Sequence, residues 1–273
     1  MSRLSKIRNK IISSITEYNQ YKYDHICWFK TILYNSLWFG AKGLRKLPIH
    51  IYNNVDIISS GRITIDGEIH TGMIKMGIWK AKAHNHFRLM NYGTIIFHGK
   101  AVLQGGCIIE NYGGIIEFGN FNKISESCKL MCRRRIVFQD HISVGYETTF
   151  MDTDFHFIVN TTDRKVHLNE KEINIGEGVW ISSNCKIMKG VCLPANSIVC
   201  ANSLLLKDFS YCRCATVFAG SPAKVINEGK RRIFNIKKEQ ELSYIFQRNN
   251  TLNELQIPEN DLDKLCFENF NNL

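Results

Sequence analysis

Proline is scarce in this chain, with 4 residues in 273, and glycine reaches only 19. That composition excludes a collagen-like repeat or a Pro/Gly-rich disordered polymer. Hydrophobic residues at 44% and charged residues at 22% are instead those of an ordinary globular protein. A long apolar run is also missing. The nearest approach, HICWFKTILYNSLWFG at 25–40, is broken by Lys30 and Asn35 and falls short of the roughly 20 apolar residues that span a bilayer. It lacks the small-residue cleavage site of a secretory signal, so a cytoplasmic protein is expected. Paired C-x2-C clusters are absent as well: Cys128 and Cys132, or Cys212 and Cys214, do not have structural-zinc spacing. The ten cysteines are read as reduced, wall-filling thiols, with no metal site.

Acidic residues are the minority charge, 25 against 35 basic, for a formal +10. The excess is uneven, since residues 1–46 hold nine Lys/Arg against Glu17 and Asp24, a net of +7. Such a segment attracts anionic membrane surfaces, nucleic acid or phosphorylated substrates, and charge alone does not choose among them. Gly105-Gly106 and Gly113-Gly114 belong to no G-x-G-x-x-G or P-loop pattern. They read as turns.

What is present is a period of six. From Ile175 the chain divides into IGEGVW, ISSNCK, IMKGVC, LPANSI, VCANSL and LLKDFS. The first place is always aliphatic: Ile175, Ile181, Ile187, Leu193, Val199, Leu205. The fifth is Val179, Cys185, Val191, Ser197, Ser203 and then Phe209, small or modest except for the last. Neither a helix at 3.6 nor a strand at 2 sustains a strict six. The pattern fits a solenoid in which each unit is one short strand and a turn, with the aliphatic pointing inward. Upstream, Phe138, Val144 and Phe150 keep the interval, as do Phe118, Ile124 and Leu130. NYGTIIF at 91–97 recurs as NYGGIIEF at 111–118. Coils of three strands are therefore expected from about residue 60 to 210. The lapse between Phe150 and Ile175 predicts a loop near 157–172 thrown out from the coil, where function tends to sit.

At the root of that loop lies MDTDFH, 151–156. If the stretch is extended, Asp152, Asp154 and His156 share one face. A neutral imidazole takes a proton readily near pH 7, and a carboxylate on its far nitrogen would fix the tautomer. The bland reading is a loop histidine beside two solvated acids.

The run IGEGVWISSNCKIMKGVCLPANSIVCANSLLLKDF, followed by VFAGSPAKVI, resembles the hexapeptide-repeat acyltransferases over about residues 60–226. That family usually carries a V-W-I-G-x-N coil, a G-A-G-S-like coil, V-x-K-D and a closing G-x-P-A-K. Here Ser182 and Asn202 stand where glycine is usual, which would narrow the cofactor groove. The resemblance implies an all-β, left-handed parallel β-helix. It implies acetyl-CoA as acyl donor and a sugar or glycan hydroxyl as acceptor. It also implies a homotrimer with grooves shared between subunits, and no nucleic-acid partner. MDTDFH is similar to the D-x-D-x-H segment of many sugar O-acetyltransferases. By that match His156 is the general base, oriented by Asp154 or Asp152, and Trp180 borders the acceptor and thioester. Positions matching the coenzyme groove are Ser182, Ala201, Leu206 and Lys207, with Ala219, Gly220 and Lys224 toward the nucleotide. Lys207 and Lys224 would meet its phosphates, although exposed lysines are commonly just solvated. An N-acetyltransferase on an amino sugar stays open, as does a non-catalytic β-helix scaffold in glycan assembly.

The remaining segments read more blandly. His84, His86 and Arg88, and the cluster CRRR at 132–135, read as surface features, with contact to an anionic acceptor as the functional alternative. Residues 1–59 form a basic lead-in. There Trp28, Phe29, Trp38 and Phe39, among Lys30 and Lys42, either cap the solenoid or make a peripheral membrane contact. Residues 211–273 form a closing segment and a helical tail.

Overall fold

In every hexad from Ile175 onward, the first and fifth side chains are buried in the interior. The first sits on a strand, and the fifth fills the corner just before the next strand begins. Between them the backbone turns through the left-handed region, at Gly178 (φ 67°), Asn184 (58°), Gly190 (80°), Asn196 (58°) and Asn202 (58°). Glycine and asparagine enter that region at least cost. The six-residue unit is thus a strand, a left-handed corner and a corner-filling side chain.

The computed structural model describes residues 25–78, 86–249 and 252–257, together with Leu262 and Cys266. Three units make one coil, and the coils stack into a three-sided parallel β-helix, the all-β class expected from the sequence. The faces hold nine, seven and six strands. Register follows the hexads. Ile181 lies between Val144 and Val199 on the first face. Ile187 lies between Phe150 and Leu205 on the second, and Ile175 between Phe138 and Leu193 on the third. Asn91 pairs with Asn111, as the repeated NYG predicts. Inside the third face Phe97, Phe118 and Phe138 stack at centroid spacings of 5.1 and 5.3 Å. The chain leaves the stack after Thr149–Met151 (β14) and returns at Ile173–Ile175 (β15). Between them is an arm with antiparallel bridges Thr153–Glu170 and Val159–Val166.

The stack begins earlier than residue 60. Its first strand is Ile49–Ile51 (β1), paired in parallel with Ile74–Ile78 (β4). In this first coil Ile51, Ile57, Ile63 and Ile69 keep the six-residue interval, but the run lapses before the later hexads and was not read as part of the stack. Its open end is closed by a helix, Trp28–Lys46 (α1), kinked at Gly40. Asn35, wholly buried, donates to the Ile49 carbonyl (2.7 Å) and accepts from the Ile49 amide (3.0 Å). Thr31 accepts from the Ile51 amide at 3.1 Å. Two polar side chains therefore occupy the free edge of β1. Trp38 and Phe39 pack on the core as a cap should, whereas Trp28 and Phe29 are exposed. At the other end Val217–Gly220 (β21) and Ala223–Asn227 (β22) form an antiparallel hairpin on the first face. The expected C-terminal helix follows at Ile236–Arg248 (α2), with the Asn235 side chain accepting from the Lys238 amide.

Asn35→Ala strands buried donors and acceptors at the edge of β1, each costing about 1–3 kcal/mol. The variant is expected to melt well below wild type by circular dichroism. Replacing exposed Ser36 by alanine should leave the midpoint unchanged.

Candidate active site

The arm is anchored where it leaves the coil. Asp152 is wholly buried, and its carboxylate accepts the amides of Arg133, Arg134 and Arg135, each at 2.8 Å. The Cys132 thiol also points at it, at 3.3 Å. Three successive amides converging on one anion form a nest, and the anion here is built into the next coil. Burial first, and then the neighbouring Asp152 charge, push the Cys132 thiol well above its ordinary value. The basic CRRR cluster thus contributes its backbone to the fold. Two of its guanidiniums are also paired, Arg133 with Glu170 (3.4 Å) and Arg135 with Glu117 (2.8 Å).

Asp152 is therefore not the partner of His156, because its oxygens are committed inward. Asp154 is committed as well, to the Lys189 ammonium at 2.5 Å. Nor is MDTDFH an extended face. Strand β14 ends at Met151, and Phe155 takes a left-handed φ of 59° with its amide on Thr153 Oγ1. That bend carries His156 out to solvent. Among the described residues it makes no hydrogen bond or ion pair. Phe155 turns back instead, meeting the Tyr112 ring edge-on at 5.4 Å. The same corner leads to a concavity of about 720 Å3 lined by Leu37, Trp38, Arg62, Tyr92 and Thr94 among others, at the turns of the two NYG repeats.

Trp180 does not border His156 within one chain. It stands on the first face, across the third face from the arm, under the Arg232 guanidinium at 5.0 Å from its ring. Arg232 also donates to Ser143 Oγ at 2.8 Å, and burial lowers its pKa. A cation over an indole stabilises by about 0.5–2 kcal/mol, so the C-terminal segment is clamped over Trp180. Beside it, at the corner between the third and first faces, His141 Nδ1 lies 3.5 Å from Glu177 and its ring stacks on Phe121. Coil stacking brings these two together from 36 positions apart, so sequence reasoning missed the pair.

The coenzyme candidates fall into two groups. Ile181, Val199 and Phe218 share one register, which places Ser182, Ala201, Ala219 and Gly220 at one corner on successive levels. Lys224 pairs with Ala219 across the closing hairpin. Leu206 and Lys207 leave the second face at its other edge, where Lys207 lies over Phe209 and Tyr211. Among the described residues no cluster of His, Cys, Asp or Glu could hold a metal, and the cysteines are free. His84 lies outside the described residues. His86 is exposed and 3.6 Å from Asp56.

Fold and corner define a three-sided parallel β-helix with a histidine-bearing arm. No family model and no curated protein matches the chain. Among solved structures, the polySia specific acetyltransferase NeuO superposes at a TM-score of 0.49 and 17% identity, over 74% of this chain and 98% of that one. The hexapeptide-repeat containing-acetyltransferase VCA0836 from Vibrio cholerae O1 biovar eltor, complexed with acetyl coenzyme A, gives 0.39 and 25%, over 50% and 71%. The N-acyltransferase AntD from Bacillus cereus, with dTDP and 3-hydroxybutyryl-CoA, gives 0.38 and 18%, over 78% and 98%. At these scores the likenesses carry nothing about activity, acceptor or assembly.

Asp152→Asn turns an amide NH2 toward backbone donors and is expected to cost about 3 kcal/mol of stability. Chemical denaturation checks this. A variant of wild-type stability that is catalytically dead would instead make Asp152 a catalytic residue.

Proposed function

We propose that the protein is a hexapeptide-repeat O-acetyltransferase, moving acetyl from acetyl-CoA to a sugar or glycan hydroxyl, with His156 as general base. The observation carrying this reading is an exposed imidazole with no structural task, on an arm whose root is fixed by the buried Asp152. A histidine held for packing would be buried or bonded. Among the described residues, His156 is neither. In the proposed reaction its neutral ring takes the acceptor proton as the oxygen attacks the thioester carbonyl, and CoA leaves as the thiol. With Asp152 and Asp154 engaged elsewhere, the orienting group for His156 comes from the acceptor or from a neighbouring subunit.

A cytoplasmic homotrimer accounts for two further features. The arm exposes Phe157, Ile158, Val159, Val166 and Leu168, each 53–68% accessible, and such a surface suits a neighbouring copy. Trp180, across the third face from His156, can face it only from another chain. The corner containing Ser182, Ala201, Ala219, Gly220 and Lys224 is assigned to the pantetheine and nucleotide of the coenzyme, and Lys207 to a phosphate. Exposed Tyr92 and Tyr112, on the His156 corner, offer ring faces to a sugar.

The second reading makes His141 the base, because it alone of the two has a carboxylate, Glu177, at its ring nitrogen. The test follows CoA formation by mass spectrometry with acetyl-CoA and a panel of carbohydrates. His156→Ala is expected to lower kcat/KM by about 10²–10⁴-fold, with acetyl-CoA binding retained. Loss in His141→Ala alone transfers the role to that pair. Release with amines but not hydroxyls selects N-acyl transfer, and neither release nor coenzyme binding selects a scaffold.

A further inference from the structure

Helix α1 has a second face that nothing in the described chain covers. It turns Thr31, Asn35 and Gly43 onto the first coil, and Trp38 and Phe39 pack half-buried at the core's edge. It exposes Phe29 (76%), Ile32 (45%), Leu33 (40%) and Leu44 (51%), together with Trp28 (54%), whose ring edge also meets His50 at 5.7 Å, and Leu37 (68%), at the rim of the concavity lined by Trp38 and Arg62. Large aromatics open the helix, and bases close it at Lys42, Arg45 and Lys46, which have no ion-pair partner among the described residues. Residues 28–46 contain no Asp or Glu, and residues 1–46 carry a net +7. No described helix is long and apolar enough to cross a membrane.

We propose that α1 lies flat on an anionic lipid bilayer. Its Trp, Phe, Ile and Leu side chains enter the acyl boundary, and Lys42, Arg45 and Lys46 meet the headgroup phosphates. An apolar face flanked by basic residues has this preference. Two alternatives fit less well. A second copy of the same face brings no carboxylate to its lysines and arginines, and a nucleic acid offers base faces to aromatics but nothing that takes up the aliphatic Ile32, Leu33, Leu37 and Leu44. The opposite face of α1 is already committed to Ile49 and Ile51 through Asn35 and Thr31, which holds the segment before the Gly40 kink against the first coil. The bilayer would hold the prism by its first coil.

The full-length protein is floated with vesicles of phosphatidylcholine alone and of phosphatidylcholine mixed with phosphatidylglycerol. Wild type is expected to float with the anionic vesicles and to be released by salt. Phe29→Glu with Leu37→Glu changes two side chains that make no core contact, so the variant should keep its melting midpoint while binding falls about tenfold or more. The triple variant Lys42→Gln, Arg45→Gln, Lys46→Gln should lose the preference for anionic lipid. Wild type that stays unbound, or a double variant that floats equally well, overturns the proposal. So does lipid-free self-association that the Phe29→Glu/Leu37→Glu pair abolishes, since the face would then belong to a second copy. None of these readouts depends on acetyl transfer.

Discussion

No coil of this molecule can bury its own interior. Each contributes a thin triangle of side chains, and those become a core only when another triangle lies above and below. The binding constraint is therefore the parallel backbone pairing between coils, which fixes Ile175 beneath Phe138, Ile181 beneath Val144 and Ile187 beneath Phe150. Corners, arm and closing hairpin all depend on that register. A one-residue slip along a strand would turn an inward aliphatic outward, so extra chain is taken up between strands. The coils from Leu103 to Ile124 and from Ile124 to Val144 are longer than that from Ile181 to Val199 yet keep register, and the arm lies between β14 and β15.

The root of the arm shows how structural and chemical demands divide a short motif. In MDTDFH one carboxylate satisfies three amides of the preceding coil and the other holds Lys189. The imidazole, carried outward by the left-handed turn at Phe155, has no partner among the described residues. Rigidity beneath the histidine thus comes from Asp152, while what lies around the ring depends on whatever occupies the neighbouring space. The coenzyme candidates follow the same logic, because vertical stacking gathers residues as distant as Ser182 and Lys224 at a single corner.

The hexads from Ile175 to Phe209 made the fold legible, including which side chains face inward. A further sign was present in the same letters: Gly or Asn at the fourth place of the first five units, where the corner needs a positive φ. The first coil was not read, although Ile51, Ile57 and Ile63 stand six apart, because the interval lapses after Ile69 and the short run does not join the later hexads. The candidate site was legible in part. The position of the arm followed from the lapse in periodicity, and His156 was singled out by the motif at its root. The duties of Asp152 and Asp154 did not, since their partners are backbone amides one coil back and a lysine 35 residues ahead. No local spacing records either contact. That Trp180 lies across the third face from the arm of its own chain, beneath Arg232, was not legible for the same kind of reason, since Arg232 arrives from a segment beyond the repeat.

The cap formed by Thr31 and Asn35 also bears on the behaviour of the molecule in bulk. A stack of parallel strands ends in an edge with free amides and carbonyls, ready to accept another strand. Those on β1 are instead bonded to side chains of the chain's own helix. Prisms with bare ends would join end on end into filaments. This plug blocks end-on addition along the first face, so assembly of the protein has to use its sides rather than that end.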